Sequence, residues 1–267
     1  MSGHSKFANI KHRKGAQDKK RGKIFTRIIK EISIAVKDGG ADGTINPSLR
    51  RALSNAKGAN MPKDTILRAI KKASGEDATS YFELSFEGYG PNGIAFFIEC
   101  TTDNTNRSVA NVRSIFTKNG GELGKNGSLE YIFDRKGIFI LERENITMDI
   151  DELEMELIDG GAEDIEIEDD IITVYTDLTD FGAMALALEK LGIEAKSGEL
   201  QRLPNNTKEL PLHKAQSILN LAEKFDEEDD VQNVFHNSLL HLVQFPWGKH
   251  NKILQNQIFQ CQCYRYL

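Results

Sequence analysis

The chain has 267 residues, 39% of them hydrophobic and 28% charged, with a formal net charge of −6. That length allows two or three small domains of soluble composition. No apolar run approaches the roughly 18 residues of a membrane-spanning helix, and the basic start lacks the apolar centre of a secretory signal, so the sequence reads as a cytoplasmic protein of bacterial type. Three cysteines, Cys100, Cys261 and Cys263, are an odd and small set that suits a reducing compartment. The lone C-x-C has no companion pair at zinc spacing.

Charge is divided along the chain rather than scattered. Residues 1–72 carry 18 Lys and Arg against five Asp and Glu, a net of +13; the other 195 residues carry 16 against 35, a net of −19. Such asymmetry points to a basic module that meets a polyanion. Residues 1–22 form a basic arm. Phe7 and Ile10 are the only large apolar residues from Ser2 to Lys23, so the arm has no face to bury. It is expected to be non-helical and mobile in the free protein, ordering on a partner. Lys6, Lys11, Arg13, Lys14, Lys19, Lys20, Arg21 and Lys23 suit phosphate neutralisation, and Phe7 and His12 suit stacking on bases or wedging between them. The same run also fits a solubilising tail.

Residues 23–76 read as a helical domain. Ile24, Phe25, Ile28, Ile29, Ile32, Ala35 and Val36 form one stripe at a period of 3.6, with Lys23, Arg27, Lys30 and Lys37 off it, Lys23 and Arg27 among the expected nucleic-acid contacts, and Gly39-Gly40 as its stop. Asn46 caps a second helix with Pro47 at its first position and Leu49, Ala52, Leu53 and Ala56 inward. Pro62 starts a third with Ile66, Leu67, Ile70 and Ala73 inward. None can bury its stripe alone, so the three are expected to pack together. Arg50, Arg51, Lys57, Lys63, Arg68, Lys71 and Lys72 decorate them, as solvated faces or as a second phosphate-facing patch. The second and third helices are expected to be joined by a loop, not the tight turn of a helix-turn-helix.

After a polar linker at Glu76–Ser80 the period drops to two. Phe82, Leu84 and Phe86 alternate with Glu83, Ser85 and Glu87 as a half-buried strand. A second strand is expected from Ile94 to Thr101. A helix capped by Asp103 or Asn104 follows, with Val109, Val112, Ile115 and Phe116 inward, then a glycine-rich loop and a strand from Leu129 to Phe133. Residues 137–203 read as a βαββαβ unit, the ferredoxin-like order. Its strands are expected at Ile138–Leu141, Ala162–Ile167, Ile171–Tyr175 and Ile193–Leu200, its helices at Asp149–Ile158 and Leu178–Leu191. Residues 144–170 hold 13 acids and no Lys or Arg. A helix at Leu212–Phe225 and a strand at Val231–Phe235 lack companions, so 204–237 is expected to complete 77–136 as one discontinuous domain with 137–203 inserted. The fold class is therefore α+β: a three-helix domain, then two ferredoxin-like α+β domains, the third inserted in the second. Residues 238–267 hold no acid, five Gln and the only Trp, and read as an atypical tail.

Several strings imitate active sites. Gly88-Tyr-Gly-Pro-Asn-Gly93 matches G-x-G-x-x-G, but it joins two strands and contains Pro91, so it reads as a hairpin turn. The loop from Gly120 to Gly127 suits either a phosphate cradle or a structural role. Asp103, Asn104, Asn106 and Arg107 suit either an anion-binding Arg or a capping segment. The six histidines make no helical pair and no nucleophile frame. The expectation is no enzyme, no cofactor, no metal and no small-molecule substrate.

GHSKFANIKHRKGAQDKKRGKIFTRIIKEI at the start, NMPKDTILRAIKKA (Asn60–Ala73), YGPNGIA (Tyr89–Ala95), TDNTNRS (Thr102–Ser108), NGGELGKNGSLEYIFDRKG (Asn119–Gly137) and DVQNVFHN (Asp230–Asn237) resemble, in that order, the YebC/PmpR family. Its relatives include the mitochondrial translational activator of cytochrome c oxidase. The family usually reads GHSKW, so Phe7 keeps the ring and loses an indole donor. The resemblance spans residues 2–237. It implies three domains with a discontinuous middle one, and a nucleic-acid-binding regulator: a DNA-binding transcriptional regulator or, alternatively, a translation factor on ribosomal RNA or the ribosome.

Overall fold

The computed structural model describes residues 6–75 and 78–240, with the side chains of 6–20, 212 and 240 outside the description. The chain divides into two compact units, one ending at Thr79 and one beginning at Ser80. No described helix is long and apolar enough to cross a membrane.

The first unit is helical: α1 (Lys6–Gly39), α2 (Pro47–Gly58) and α3 (Lys63–Ala73). Ile28, Ile32, Ala35 and Val36 of α1 bury against Leu49, Ala52 and Ala56 of α2, Ala69 of α3 and Met61 between them. The stripes expected on α1 and α2 thus meet in one core. Asn46 fixes the entry to α2. Its side-chain oxygen accepts from the Leu49 amide at 3.0 Å, and its amide group donates to the carbonyls of Ala35 and Gly40 at 2.7 and 2.8 Å, so one residue caps α2 and ties off α1.

Two expectations for this unit need correction. α1 is continuous back to Lys6, where a non-helical arm was expected. Lys, Arg, Gln and Ala are strong helix formers, and a helix already anchored downstream extends without a new nucleation cost. Arg27 and Lys30 are buried, 6% and 7% exposed, where outward faces were expected. α1 packs against both α2 and α3, so it buries more of its circumference than one stripe.

The second unit contains β1 (Phe82–Tyr89), β2 (Ala95–Thr102), α4 (Thr105–Lys118), β3 (Glu122–Leu123), β4 (Phe133–Glu142), α5 (Ile150–Asp159), β5 (Ala162–Ile167), β6 (Ile171–Asp177), α6 (Phe181–Lys190), β7 (Ser197–Pro204), β8 (Lys208–Leu210), α7 (Leu212–Glu227), β9 (Val231–His236) and β10 (Ser238–Leu240). One antiparallel sheet has the order β3-β1-β2-β9. α4 and α7 cover it through Phe86, Phe96, Val112, Phe116, Leu221 and Phe225. β9 and α7, which return after some hundred residues, complete this sheet and its helical layer. The inserted sheet has the order β5-β6-β4-β7, the ferredoxin-like arrangement, with Leu153 and Leu157 of α5 and Met184 and Leu188 of α6 on Phe139, Leu141, Ile172 and Val174.

The strand expected at Leu129–Phe133 is instead a 3-10 turn at Glu130–Ile132 leading into β4, a single ten-residue strand. Arg135-Lys136-Gly137 resembles a break by composition, but each residue pairs with β7, opposite Arg202, Gln201 and Leu200. β7 begins at Ser197 rather than Ile193, because Ile193 and Ala195 pack on the inserted core as irregular chain. α6 begins at Phe181 rather than Leu178: the Asp177 carboxylate accepts from the Thr179 amide and hydroxyl, so a turn precedes the helix. The three-residue parallel pair of β8 and β10 was not anticipated.

Candidate nucleic-acid interface

The basic residues of the first unit are presented unequally. Lys63, Arg68, Lys71 and Lys72 stand exposed on α3. Lys63, Leu67 and Lys71 follow at i, i+4 and i+8, one side of the helix, and Leu67, expected inward, is instead 63% exposed. The α3 face thus offers an apolar contact between two cations. Among the described residues, Arg68 donates only to its own helix, to the Asp64 carbonyl at 3.0 Å and the Thr65 hydroxyl at 3.5 Å. Arg21 donates to the Asn60 carbonyl at 3.1 Å and lies over the Phe25 ring. Carbonyls and hydroxyls do not neutralise a guanidinium, so both keep their full charge for a polyanion.

Other predicted cations are placed differently. Arg50 reaches back to the carbonyls of Gly43 and Thr44 at 3.2 and 2.6 Å. It braces the α1–α2 turn, in which the Thr44 hydroxyl and amide hold the Asp42 carboxyl below its ordinary range. Arg51 and Lys23 are half-buried and Arg27 is buried. The side chains of Lys6, Lys11, His12, Arg13, Lys14, Lys19 and Lys20 lie outside the described set, although their backbone belongs to α1. The α2–α3 connection is only four residues, 59–62, with Asn60 at φ 53°, so the loop expected there is a tight turn. Yet α2 and α3 each pack chiefly on α1 rather than on each other, unlike the two helices of a helix-turn-helix.

In the second unit the imitation sites resolve into structural devices. A Cβ on Gly88 would meet the Glu122 carbonyl at 2.5 Å and Phe116 at 2.6 Å; one on Gly90 would meet Phe96 at 2.6 Å; Gly93 has φ +67°. The glycines of the G-x-G-x-x-G string thus serve close packing and the turn between β1 and β2. The glycine-rich loop does hold an anion, but an internal one. Glu87 is 1% exposed, and its carboxylate accepts from the amides of Gly127 and Leu129 at 2.6 and 2.5 Å. The amides of Gly120, Gly121, Gly124 and Gly127 are thus already engaged. Strict alternation placed Glu87 in solvent; the structure buries it.

Arg107 reaches a carboxylate. Its guanidinium donates to Asp230 at 2.9 Å and to Asp103 at 2.7 Å, and these partners raise its pKa. Asp230 is 5% exposed and also accepts from the hydroxyls of Thr102 at 3.0 Å and Ser108 at 2.8 Å. This cluster fastens the returning β9 to the start of α4. Lys136, Lys196, Arg202 and Lys224 are likewise paired with acids of their own unit.

Comparison with known proteins places this geometry. The TACO1/YebC protein N-terminal domain matches residues 5–76, and the TACO1/YebC second and third domain matches residues 81–238. A protein of Treponema denticola named "Probable transcriptional regulatory protein" is 50% identical over 250 residues, covering 93% of this chain and 98% of its own length. A Geobacillus thermodenitrificans protein of the same name is 46% identical over 238 residues, covering 89% and 96%. The crystal structure of the conserved hypothetical protein Aq1575 from Aquifex aeolicus superposes with a TM-score of 0.73 at 36% identity, covering 86% of this chain and 93% of that one. The matched domains span nearly all the described residues, and the chain belongs to the TACO1/YebC family.

Proposed function

We propose that the helical unit binds nucleic acid through the phosphate backbone, and that the chain is a DNA-binding transcriptional regulator with no catalytic chemistry of its own. The observation that carries this reading is the exposure of Lys63, Lys71 and Lys72 on α3, where among the described residues none of them forms an ion pair and Asp64 is the only acid of the helix, within a segment of net +13. The names of the relatives, probable transcriptional regulatory proteins, support the regulatory part. Phosphate contacts position a protein without reading sequence, so selectivity must come from groove contacts or nucleic-acid shape.

A second reading has one observation in its favour. α2 and α3 each pack chiefly on α1 rather than on each other, unlike a groove-reading helix pair, an arrangement that suits recognition of shape and backbone in structured RNA. Crosslinking in cells followed by sequencing separates the two: promoter DNA supports the first reading, ribosomal RNA the second. The shared interface is tested by the Lys71→Ala, Lys72→Ala double variant, which should lower the salt slope of binding by about two and weaken binding across sequences. An unchanged slope removes α3 from the interface.

A further inference from the structure

The inserted ferredoxin-like layer carries a surface that the nucleic-acid reading does not use. Met155 and Ile158 on α5 are 63% and 59% exposed, and Leu186 on α6 is 49% exposed. α5 and α6 turn Leu153, Leu157, Met184 and Leu188 to the sheet, so the exposed three lie on the opposite, outward side of the same helices. They cover no residue of the inserted core. Three large apolar side chains on two adjacent short helices differ from the isolated surface apolars of an ordinary domain.

Their electrostatic setting is one-sided. Asp151, Glu152, Glu156 and Asp159 are exposed on α5, with Asp151, Glu152 and Asp159 at helical spacing from Met155, and α5 has no Lys or Arg; Glu189 and Lys190 end α6. A nucleic acid would be repelled by this face. Two copies meeting through it would set acid against acid, a like-charge cost that disfavours self-pairing. What fits an apolar centre with an acidic rim is the complementary pattern: an apolar stripe flanked by Lys and Arg.

We propose that the outward face of α5 and α6 is a docking surface for a basic amphipathic helix of another protein, with Met155, Ile158 and Leu186 as its apolar anchors. The apolar contacts supply the hold and the acids supply steering and choice of partner. The regulator would then carry two interfaces of opposite character, one for nucleic acid and one for a basic protein.

The test uses the full chain and a fluorescein-labelled 18-residue peptide with leucines on one helical stripe and lysines elsewhere. A scrambled peptide of identical composition is the control, and anisotropy is read at two salt concentrations. The wild type should bind the striped peptide at least tenfold more tightly than the scrambled one. The Met155→Ser, Ile158→Ser, Leu186→Ser variant should lose at least tenfold for the striped peptide while keeping its thermal melt and its nucleic-acid binding. If the triple variant melts early, Met155→Ser alone is used, with a smaller loss in the same direction. Three results overturn the proposal: equal binding of the two peptides, unchanged binding by the serine variants, or sedimentation showing that the surface is covered by a second copy. Because nucleic-acid binding is measured separately, failure here is distinct from failure of the phosphate-backbone reading.

Discussion

Asp230 shows how one side chain can carry long-range connectivity. It receives Arg107, Thr102 and Ser108 from residues more than 120 positions earlier, and so closes the discontinuous sheet. Asp230→Ala removes the charged acceptor that two hydroxyls and a guanidinium share, leaving the hydroxyls only the Asn104 carbonyl at 3.2 Å and Arg107 only Asp103 among carboxylates. Loss of hydrogen bonds to a buried charge should cost about 2–3 kcal/mol in denaturant unfolding; a loss under a few tenths would show that the cluster is incidental. His236 works in the opposite sense. It is buried beside Phe96, with ring centroids 5.6 Å apart, and burial pushes its pKa from 6.5 down to about 4. Between those values the unfolded chain takes up a proton that the folded chain refuses. The stability this residue contributes is complete above about pH 6.5 and is lost as the pH falls toward 4. The stability profile of His236→Gln should be flatter than wild type between pH 6.5 and 5. An identical slope there would assign the acid sensitivity to other groups.

At the scale of elements, a tight constraint lies where β1 passes under α4. Gly88→Ala would push a methyl group against the Glu122 carbonyl and the Phe116 ring. Neither is a flexible side-chain end, so the substitution should cost about 1–3 kcal/mol and lower the melting temperature; an unchanged melt would mean that the strand and helix separate freely. What the sequence disclosed about such elements depended on how local the signal was. Asn46-Pro47 marked the start of α2 because capping is decided within four residues. The order of the inserted unit was legible because its periodicity switches cleanly between two and 3.6. β4 was divided because its continuity depends on pairing with β7, over sixty residues away. Glu87 was misplaced because its partners, the amides of Gly127 and Leu129, lie forty residues on. The helix through residues 6–22 was missed because an absent apolar face was weighed above propensity and anchorage. Of the interface, composition showed the basic character. The different placements of Arg27, Arg50 and Lys71 required the packing.

The whole molecule joins a cationic helical unit to a larger anionic one, and the function proposed depends on that division. In the second unit, Arg107, Lys136, Lys196, Arg202 and Lys224 are engaged with neighbouring acids. On α3, Lys63, Lys71 and Lys72 are exposed and form no ion pair among the described residues. Removing residues 2–22 should therefore weaken nucleic-acid binding and leave the melt of the second unit in place, and equal binding by the truncated chain would make the basic start a mere solubilising segment. The most direct measurement is the affinity for duplex DNA and for structured RNA as a function of salt. If about six phosphates are contacted, log K should fall against log salt with a slope near −5; a flat dependence would contradict backbone binding by the basic unit.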